Sequence, residues 1–202
     1  MAIEFKLPPT SQRLKPFKPK IGKGDYGSTD FIGSAVGYKS SWQAEACGTV
    51  DELNAMVGES CNRIQNAFIK SVLLQISKEL FILGTDIANT KMSAKDLPHI
   101  HSEHIHHLED LIVHFEKTLA PLHNFLIPMG PPSFTSIHLA RAICRRAERQ
   151  LVKFMKGTKD EKKYNPLTLA YLNRLGDLFF TIGRVLLREA NAPEICWSRK
   201  DT

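Results

Sequence analysis

The chain has no apolar run approaching the roughly 18 residues of a membrane span, so a membrane-spanning role is not expected. Its four cysteines (Cys47, Cys61, Cys144, Cys196) form no CxxC pair, and the start Met1-Ala2-Ile3-Glu4-Phe5-Lys6 carries no apolar segment behind a charged one. The thiols therefore read as reduced, no signal peptide is expected, and the expected location is cytoplasmic. There is no C2H2 spacing, no recognition-helix pattern, no internal repeat and no convincing strand pair. Those absences leave little room for a nucleic-acid-binding module or a β-fold.

What is present is helical periodicity and positive charge. A chain of 202 residues is one domain with enough length to bury a core. The net charge of +6 draws anions without naming one. Much of the excess lies near the start, where Lys6, Arg13, Lys15, Lys18, Lys20 and Lys23 face Glu4 alone. Residues 1–20, with Pro8, Pro9, Pro16 and Pro19, read as a flexible or extended arm, and 21–40 as a glycine-rich structured loop. From Trp42 apolar residues recur every three or four positions: Ala46, Val50, Leu53, Val57, Cys61, then Ile69, Leu73, Ile76, Leu80, Leu83, Ile87. A third helix is predicted over Ile100–Leu119, halted by Pro121, and a fourth over Ser133–Met155 with Ser133 or Thr135 as N-cap. A charged loop follows at Lys156–Lys163, and Asn165-Pro166 opens a fifth helix that ends before Pro193. The expected fold is all-α, an antiparallel five-helix bundle over 21–192 with a C-terminal tail at 193–202.

Three helical segments and one loop carry candidate chemistry. Arg141-Ala142-Ile143-Cys144-Arg145-Arg146-Ala147-Glu148-Arg149 puts Arg141, Arg145 and Glu148 on one line, with Arg146 and Arg149 fanning out beside it. Guanidinium forks grip phosphate oxygens two at a time, although a solvated face with an internal Arg145–Glu148 pair would look the same. In Gly22-Lys23-Gly24-Asp25-Tyr26-Gly27-Ser28-Thr29, glycines can turn backbone N–H groups toward an anion. It is not a Walker A loop. Asp51, Ala55 and Gly58 share a line, an acid on a stripe of small residues where another helix can approach. A helix-dipole role for Asp51 remains open. On the last helix Asn173, Asp177, Phe180 and Arg184 align, and Phe180 suggests that this face is covered, by another subunit for example.

DELNAMVG at Asp51–Gly58, RAICRRAER at Arg141–Arg149 and YLNRLGDLFF at Tyr171–Phe180 resemble, in order, the three signature helices of the ATP:cob(I)alamin adenosyltransferases. Phe125-Leu126-Ile127-Pro128 resembles that family's F-x-x-P segment. The resemblance spans about residues 20–190. It implies a five-helix bundle assembled as a homotrimer with active sites between subunits. It also implies that Lys23, Gly24, Asp25, Gly27, Ser28 and Thr29 form a nucleotide loop. Arg145, Arg146, Glu148, Arg149 and Asn173 would contact ATP, with Mg2+ on the triphosphate. Asp51 and Arg141 would pair across the subunit boundary beside the corrinoid, and Phe125 would press on the lower corrin face to keep the dimethylbenzimidazole tail off cobalt. Asp51, Arg141 and Arg145 stand as the catalytic candidates. The implied reaction is attack of Co(I) of cob(I)alamin on C5′ of ATP, with triphosphate leaving. Implied protein partners are a corrinoid reductase or an adenosylcobalamin-dependent enzyme, with no nucleic acid and no membrane.

The chain departs from the family pattern in places. Ile21, Gly22 and Lys23 stand where the family loop usually reads T-K-T, Gly176 replaces a usual serine, and Pro131 follows Met129-Gly130 where a Gly-Gly pair is common. A second reading follows from the loop: a non-catalytic corrinoid-binding or regulatory protein whose nucleotide loop has decayed. The histidines His99, His101, His104, His106, His107 and His114 invite a metal reading, but a di-iron bundle needs a second ExxH that is missing. They read as a surface cluster, and no metal site is expected.

Overall fold

In the computed structural model, which describes residues 21–32, 36–89, 97–158 and 164–198, the described chain is built on helices: α1 (Trp42–Arg63), α2 (Ala67–Ala88), α3 (Ser102–Glu116), α4 (Pro132–Gly157) and α5 (Leu167–Glu189). The predicted arm 1–20, residues 159–163 of the charged loop and residues 199–202 of the tail lie outside the described residues. Helix starts follow local chemistry. Ser41 Oγ accepts from Ala44 N–H at 3.2 Å to open α1, and Asn66 Oδ1 accepts from Ile69 N–H at 3.0 Å to open α2. Asn165 Oδ1 accepts from Leu167 N–H at 3.1 Å ahead of α5.

Several boundaries differ from the sequence reading. Neither Ser133 nor Thr135 caps α4: Pro132 supplies a helix-ready φ, and the N–H it lacks would have no partner within the helix, so the helix starts there with Pro131 before it. The Thr135 hydroxyl instead bonds from inside the helix, Oγ1 donating to Pro131 O at 3.4 Å. The third helix is shorter than Ile100–Leu119, because Ile100 N–H is taken by a side chain and Leu119 N–H closes a turn on Glu116 O at 3.0 Å. A two-strand ribbon also exists, against the expectation of none: β1 (Ser28–Thr29) pairs antiparallel with β2 (Gly37–Tyr38), Ser28 opposite Tyr38. Two-residue strands are too short for alternation to reveal them.

Helix α4 packs between α1 and α5, α2 covers α1, and α3 lies on α5. Leu53, Val57, Leu73, Leu80, Ile137, Cys144, Leu175 and Phe179 are among the buried residues of one continuous core. Each fully buried Leu or Ile contributes about 1.5–3 kcal/mol. Two buried carboxylates interrupt it, both satisfied. Glu79 accepts from Tyr171 Oη at 2.7 Å and Gln75 Nε2 at 2.9 Å. Asp86, at the end of α2, meets His99 Nδ1 at 2.5 Å, Ile100 N–H at 2.9 Å and Asn165 Nδ2 at 2.9 Å.

Asp86 thus ties the end of α2 to the lead-ins of α3 and α5. It also accounts for His99, while His101 N–H donates to His104 Nδ1 at 3.0 Å at the start of α3. These members of the histidine cluster serve helix ends, and among the described residues no three His, Cys, Asp or Glu side chains gather as a metal site. Asp86→Ala strands several buried donors and is expected to cost on the order of 3 kcal/mol. The urea midpoint measures it, and a loss below about 1 kcal/mol would contradict the hub.

Candidate functional site

The long helix α4 acts as a ruler. At about 1.5 Å per residue its 26 residues span roughly 39 Å. At one end it follows the segment carrying Phe125. At the other, Lys153 Nζ sits 4.7 Å from the Trp42 ring centroid, and a Cβ on Gly157 would lie 3.7 Å from Trp42. Trp42 opens α1, so the glycine loop enters the bundle beside the last turns of α4. Between these ends lie the arginines.

The flanks of α4 are engaged. Towards α1, Arg146 pairs with Glu52, and Gln150 Nε2 donates to Glu45 at 3.3 Å. Towards α5, Glu148 accepts from Asn173 Nδ2 at 3.1 Å. Asn173 Oδ1 in turn takes Arg174 Nη1 at 2.8 Å, and Arg174 Nε donates to Glu109 at 2.8 Å. The internal Arg145–Glu148 pair is therefore absent, Glu148 being turned to Asn173 instead. Between the flanks, Arg149 Nη1 donates to the Arg145 carbonyl at 2.9 Å, and the Arg145 guanidinium has no hydrogen-bond or ion-pair partner among the described residues. A Cβ at Gly176 would stand 3.9 Å from Arg145 Cγ, an ordinary contact, so residue 176 touches the stem of this arginine.

Arg141 is half-buried, and its Nε is closed off from solvent with no acceptor among the described residues. Its Cζ lies 5.2 Å from the centroid of the Phe180 ring. Burial first, then Arg145, pull its pKa below the usual arginine value, and Asp177 opposes the shift. Glu109, Val113, Arg141, Arg174, Asp177 and Phe180 are among the residues lining a cleft of about 390 Å3. His138 stands one turn before Arg141, its ring 4.9 Å from Phe134 and 6.1 Å from Phe180.

Asp51 lies on the exposed side of α1 with Ala55 and Gly58, and partial burial raises its carboxyl pKa. No ion pair joins it to Arg141 within the chain, and Phe125 is 80% exposed. The stripe Asp51-Ala55-Gly58 and the Arg141 cleft are thus two open surfaces of one chain. In the glycine loop, Gly22, Gly24 and Gly27 take positive φ values of 81°, 97° and 79°, and a Cβ on Gly24 would fall 2.8 Å from Ser28 O. Lys23 pairs with Asp30, and Lys39 Nζ donates to Gly24 O at 3.0 Å. Lys39 escaped the sequence reading, because only the β1–β2 ribbon folds it back onto the loop. Arg184, aligned by sequence with Asn173 and Asp177 on a face expected to be covered, by another subunit for example, is buried within the chain itself and bound by Glu194 at 2.6 Å. The tail, whose register no helical period encodes, covers it.

The sequence profile of the family described as Cobalamin adenosyltransferase matches residues 20–186. The chain belongs to the cobalamin adenosyltransferase family. It is 34% identical over 179 residues to a cobalamin adenosyltransferase of Cupriavidus metallidurans, covering 88% of this chain and 92% of that protein. It is 33% identical over 180 residues to a corrinoid adenosyltransferase of Bacillus subtilis, covering 87% and 90%. Among solved structures, a phenylalanine-to-histidine variant of a PduO-type ATP:corrinoid adenosyltransferase from Lactobacillus reuteri, complexed with cobalamin and ATP, superposes with a TM-score of 0.82 at 30% identity. That match covers 90% of this chain and 97% of the other. A phenylalanine-to-alanine variant with the same ligands gives 0.81 at 29%, over 87% and 97%.

One pH effect follows from the site. Burial, with Arg141 beside it, lowers the His138 pKa below the usual 6.5. The folded state then binds fewer protons than the unfolded one just below pH 6.5, so this residue's contribution is present above 6.5 and lost as pH falls through the folded-state value. Stability measured by denaturation at pH 7 and pH 5 should fall less in His138→Gln than in wild type. Equal losses would contradict the assignment.

Proposed function

We propose that this chain is an ATP:corrinoid adenosyltransferase that joins the 5′-deoxyadenosyl group of ATP to the cobalt of cob(I)alamin. The observation that carries the residue assignment is the α4 ridge, where the Arg145 guanidinium and the buried Nε of Arg141 have no partner among the described residues, while Arg146 and Glu148 beside them are engaged. Unpartnered guanidinium groups held in fixed positions suit an anionic ligand. In this reading the electron pair of Co(I) forms the new bond to C5′ as the C5′–O bond breaks, and triphosphate leaves with the bonding pair of that C5′–O bond. Arg145 and Arg149 stabilise the charge gathering on the leaving group. Glu148 and Asn173, already hydrogen-bonded, hold the edge of the nucleotide, and Arg146 sets the α1 flank through Glu52.

The glycine loop receives phosphates from the Trp42 end of α4 with Gly24, Asp25, Gly27, Ser28 and Thr29. Lys39, on that loop, adds a cation that the displaced Lys23, held by Asp30, does not offer freely. At the opposite end Phe125 presents its ring to the corrin face. The donors present fit magnesium that arrives on the triphosphate, since no described cluster of acids builds a cage and Glu148 is the carboxylate beside the arginines. With Glu148 beside it, a magnesium ion bound there would offset the charge of the triphosphate. Asp51 of one subunit meets Arg141 of the next, giving the unmatched surfaces of each chain a partner in a homotrimer.

Anaerobic incubation with ATP and chemically reduced cobalamin, followed by loss of the Co(I) spectrum, tests the reaction. Turnover above the protein-free control is expected. Cobalamin binding without turnover, and without thermal stabilisation by millimolar ATP, would replace this proposal with the decayed-loop reading. Arg145→Ala should lower kcat/KM for ATP by roughly one to two decades while stability stays within about 0.5 kcal/mol. Arg145→Lys should recover only part, lacking the fork. Full ATP dependence in the alanine variant would remove Arg145 from the site. Light scattering should give about three times the 22.8 kDa chain mass, and a monomer would contradict the shared site.

A further inference from the structure

The family profile ends at residue 186, yet the residues beyond it are built into the segment that carries Phe125. After α5 the chain turns back at Asn191, a non-glycine residue with φ of 50°, and runs antiparallel to residues 125–127. Trp197 N–H donates to Phe125 O and Ile127 N–H to Ile195 O, both at 2.8 Å, with Leu126 opposite Cys196. These two bonds fix the backbone on either side of a phenylalanine whose ring is 80% exposed.

One guanidinium ties the start of the returning tail to the connector ahead of Phe125. Arg184 on α5, with its side chain 10% exposed, donates through Nε and Nη2 to Glu194 at 2.6 and 3.2 Å, just before the paired stretch. The same Nη2 donates at 2.6 Å to the carbonyl of Ala120, at the head of the connector leading to Phe125. One turn on, Arg188 Nη1 donates to Thr118 O at 2.6 Å. Without this strap, the bonds from α5 would reach the connector between α3 and α4 at Thr118 and Ala120, several residues short of the exposed aromatic ring. Two parallel bonds to one carboxylate also carry more orientation than a single contact.

We propose that Arg184 and Glu194 are positioning residues that latch the C-terminal strap onto residues 125–127 and so set where Phe125 meets the corrinoid. The proposal rests on the adenosyltransferase reading. It assigns the strap a role on the corrinoid side of the site and none on the nucleotide side, because its contacts lie at the opposite end of α4 from the glycine loop. A strap that only protects the chain end would affect both substrates alike.

The test combines exchange and kinetics on the full chain. In substrate-free protein, Glu194→Ala should speed hydrogen exchange at the Ile127 and Trp197 amides by at least about tenfold, since both bonds depend on the latch. Unchanged exchange would overturn the latch whether or not the protein turns over. In the Co(I) assay the same variant should raise KM for cob(I)alamin about tenfold and leave KM for ATP within about twofold. In a Phe125→Ala background the added Glu194→Ala change should alter KM for cob(I)alamin less than about twofold, because the latch acts through that ring. Equal effects on both substrates, or an undiminished effect without the Phe125 ring, would overturn the positioning role. A wild type that protects both amides but shows no turnover would overturn the adenosyltransferase reading and the corrinoid role with it, while the exchange result still decides the latch.

Discussion

Like charge concentrated on one ridge of α4 is the constraint around which the rest is arranged. Arg141 and Arg145, four residues apart, repel each other, and burial strips part of the water from Arg141. Beside them Arg146 pairs with Glu52 and Glu148 is turned to Asn173, and no carboxylate among the described residues pairs with Arg141 or Arg145. Asp177 and the Phe180 ring ease the charge on Arg141 without pairing with it. An isolated chain therefore carries unspent electrostatic energy that an anion or another chain's acid can release. The stripe of Asp51, Ala55 and Gly58 offers such an acid on a surface smooth enough for close helix approach.

Holding such a ridge in place requires a helix that cannot bend or rotate. Helix α4 has α1 on one side and α5 on the other, with Ala140, Cys144, Ala147 and Leu151 buried beneath the arginines. Their size lets the neighbouring helices come close, and Cys144 Sγ is even set 3.3 Å from Leu172 O. The buried acids do the complementary work further from the ridge. Glu79 joins α2 to α5, and Asp86 gathers α2 with the lead-ins of α3 and α5, so the bundle has one register. Loops at its two ends then face each other across a fixed length of α4.

Helices and their inward faces were legible because a 3.6-residue period repeats over twenty residues and tertiary packing agrees with it. The arginine row, the Asp51 stripe and Asn173 were legible for the same reason, since position on a helix determines direction. What the sequence hid depends on contacts between distant segments. Arg184 shares a line with Asn173, and only the returning tail turns its stretch of that line into interior. Lys39 reaches the glycine loop through a ribbon of two-residue strands. The start of α4 was misread because a proline and two hydroxyl residues each signal a helix start, and the proline acted first. Glu148 had two partners within reach, and the choice of Asn173 over Arg145 depends on how α4 and α5 face each other.

In the proposed site a second copy of the chain completes what one copy leaves open, so the most direct measurement is subunit complementation. Asp51→Ala and Arg141→Ala are each expected to be poorly active alone. Co-assembled in equal amounts, three-quarters of random trimers are mixed, and each mixed ring holds one interface with both residues intact. The account predicts recovery of about a quarter of wild-type activity on co-assembly. Activity no greater than the average of the two separate variants, in trimers shown to be mixed, would contradict it.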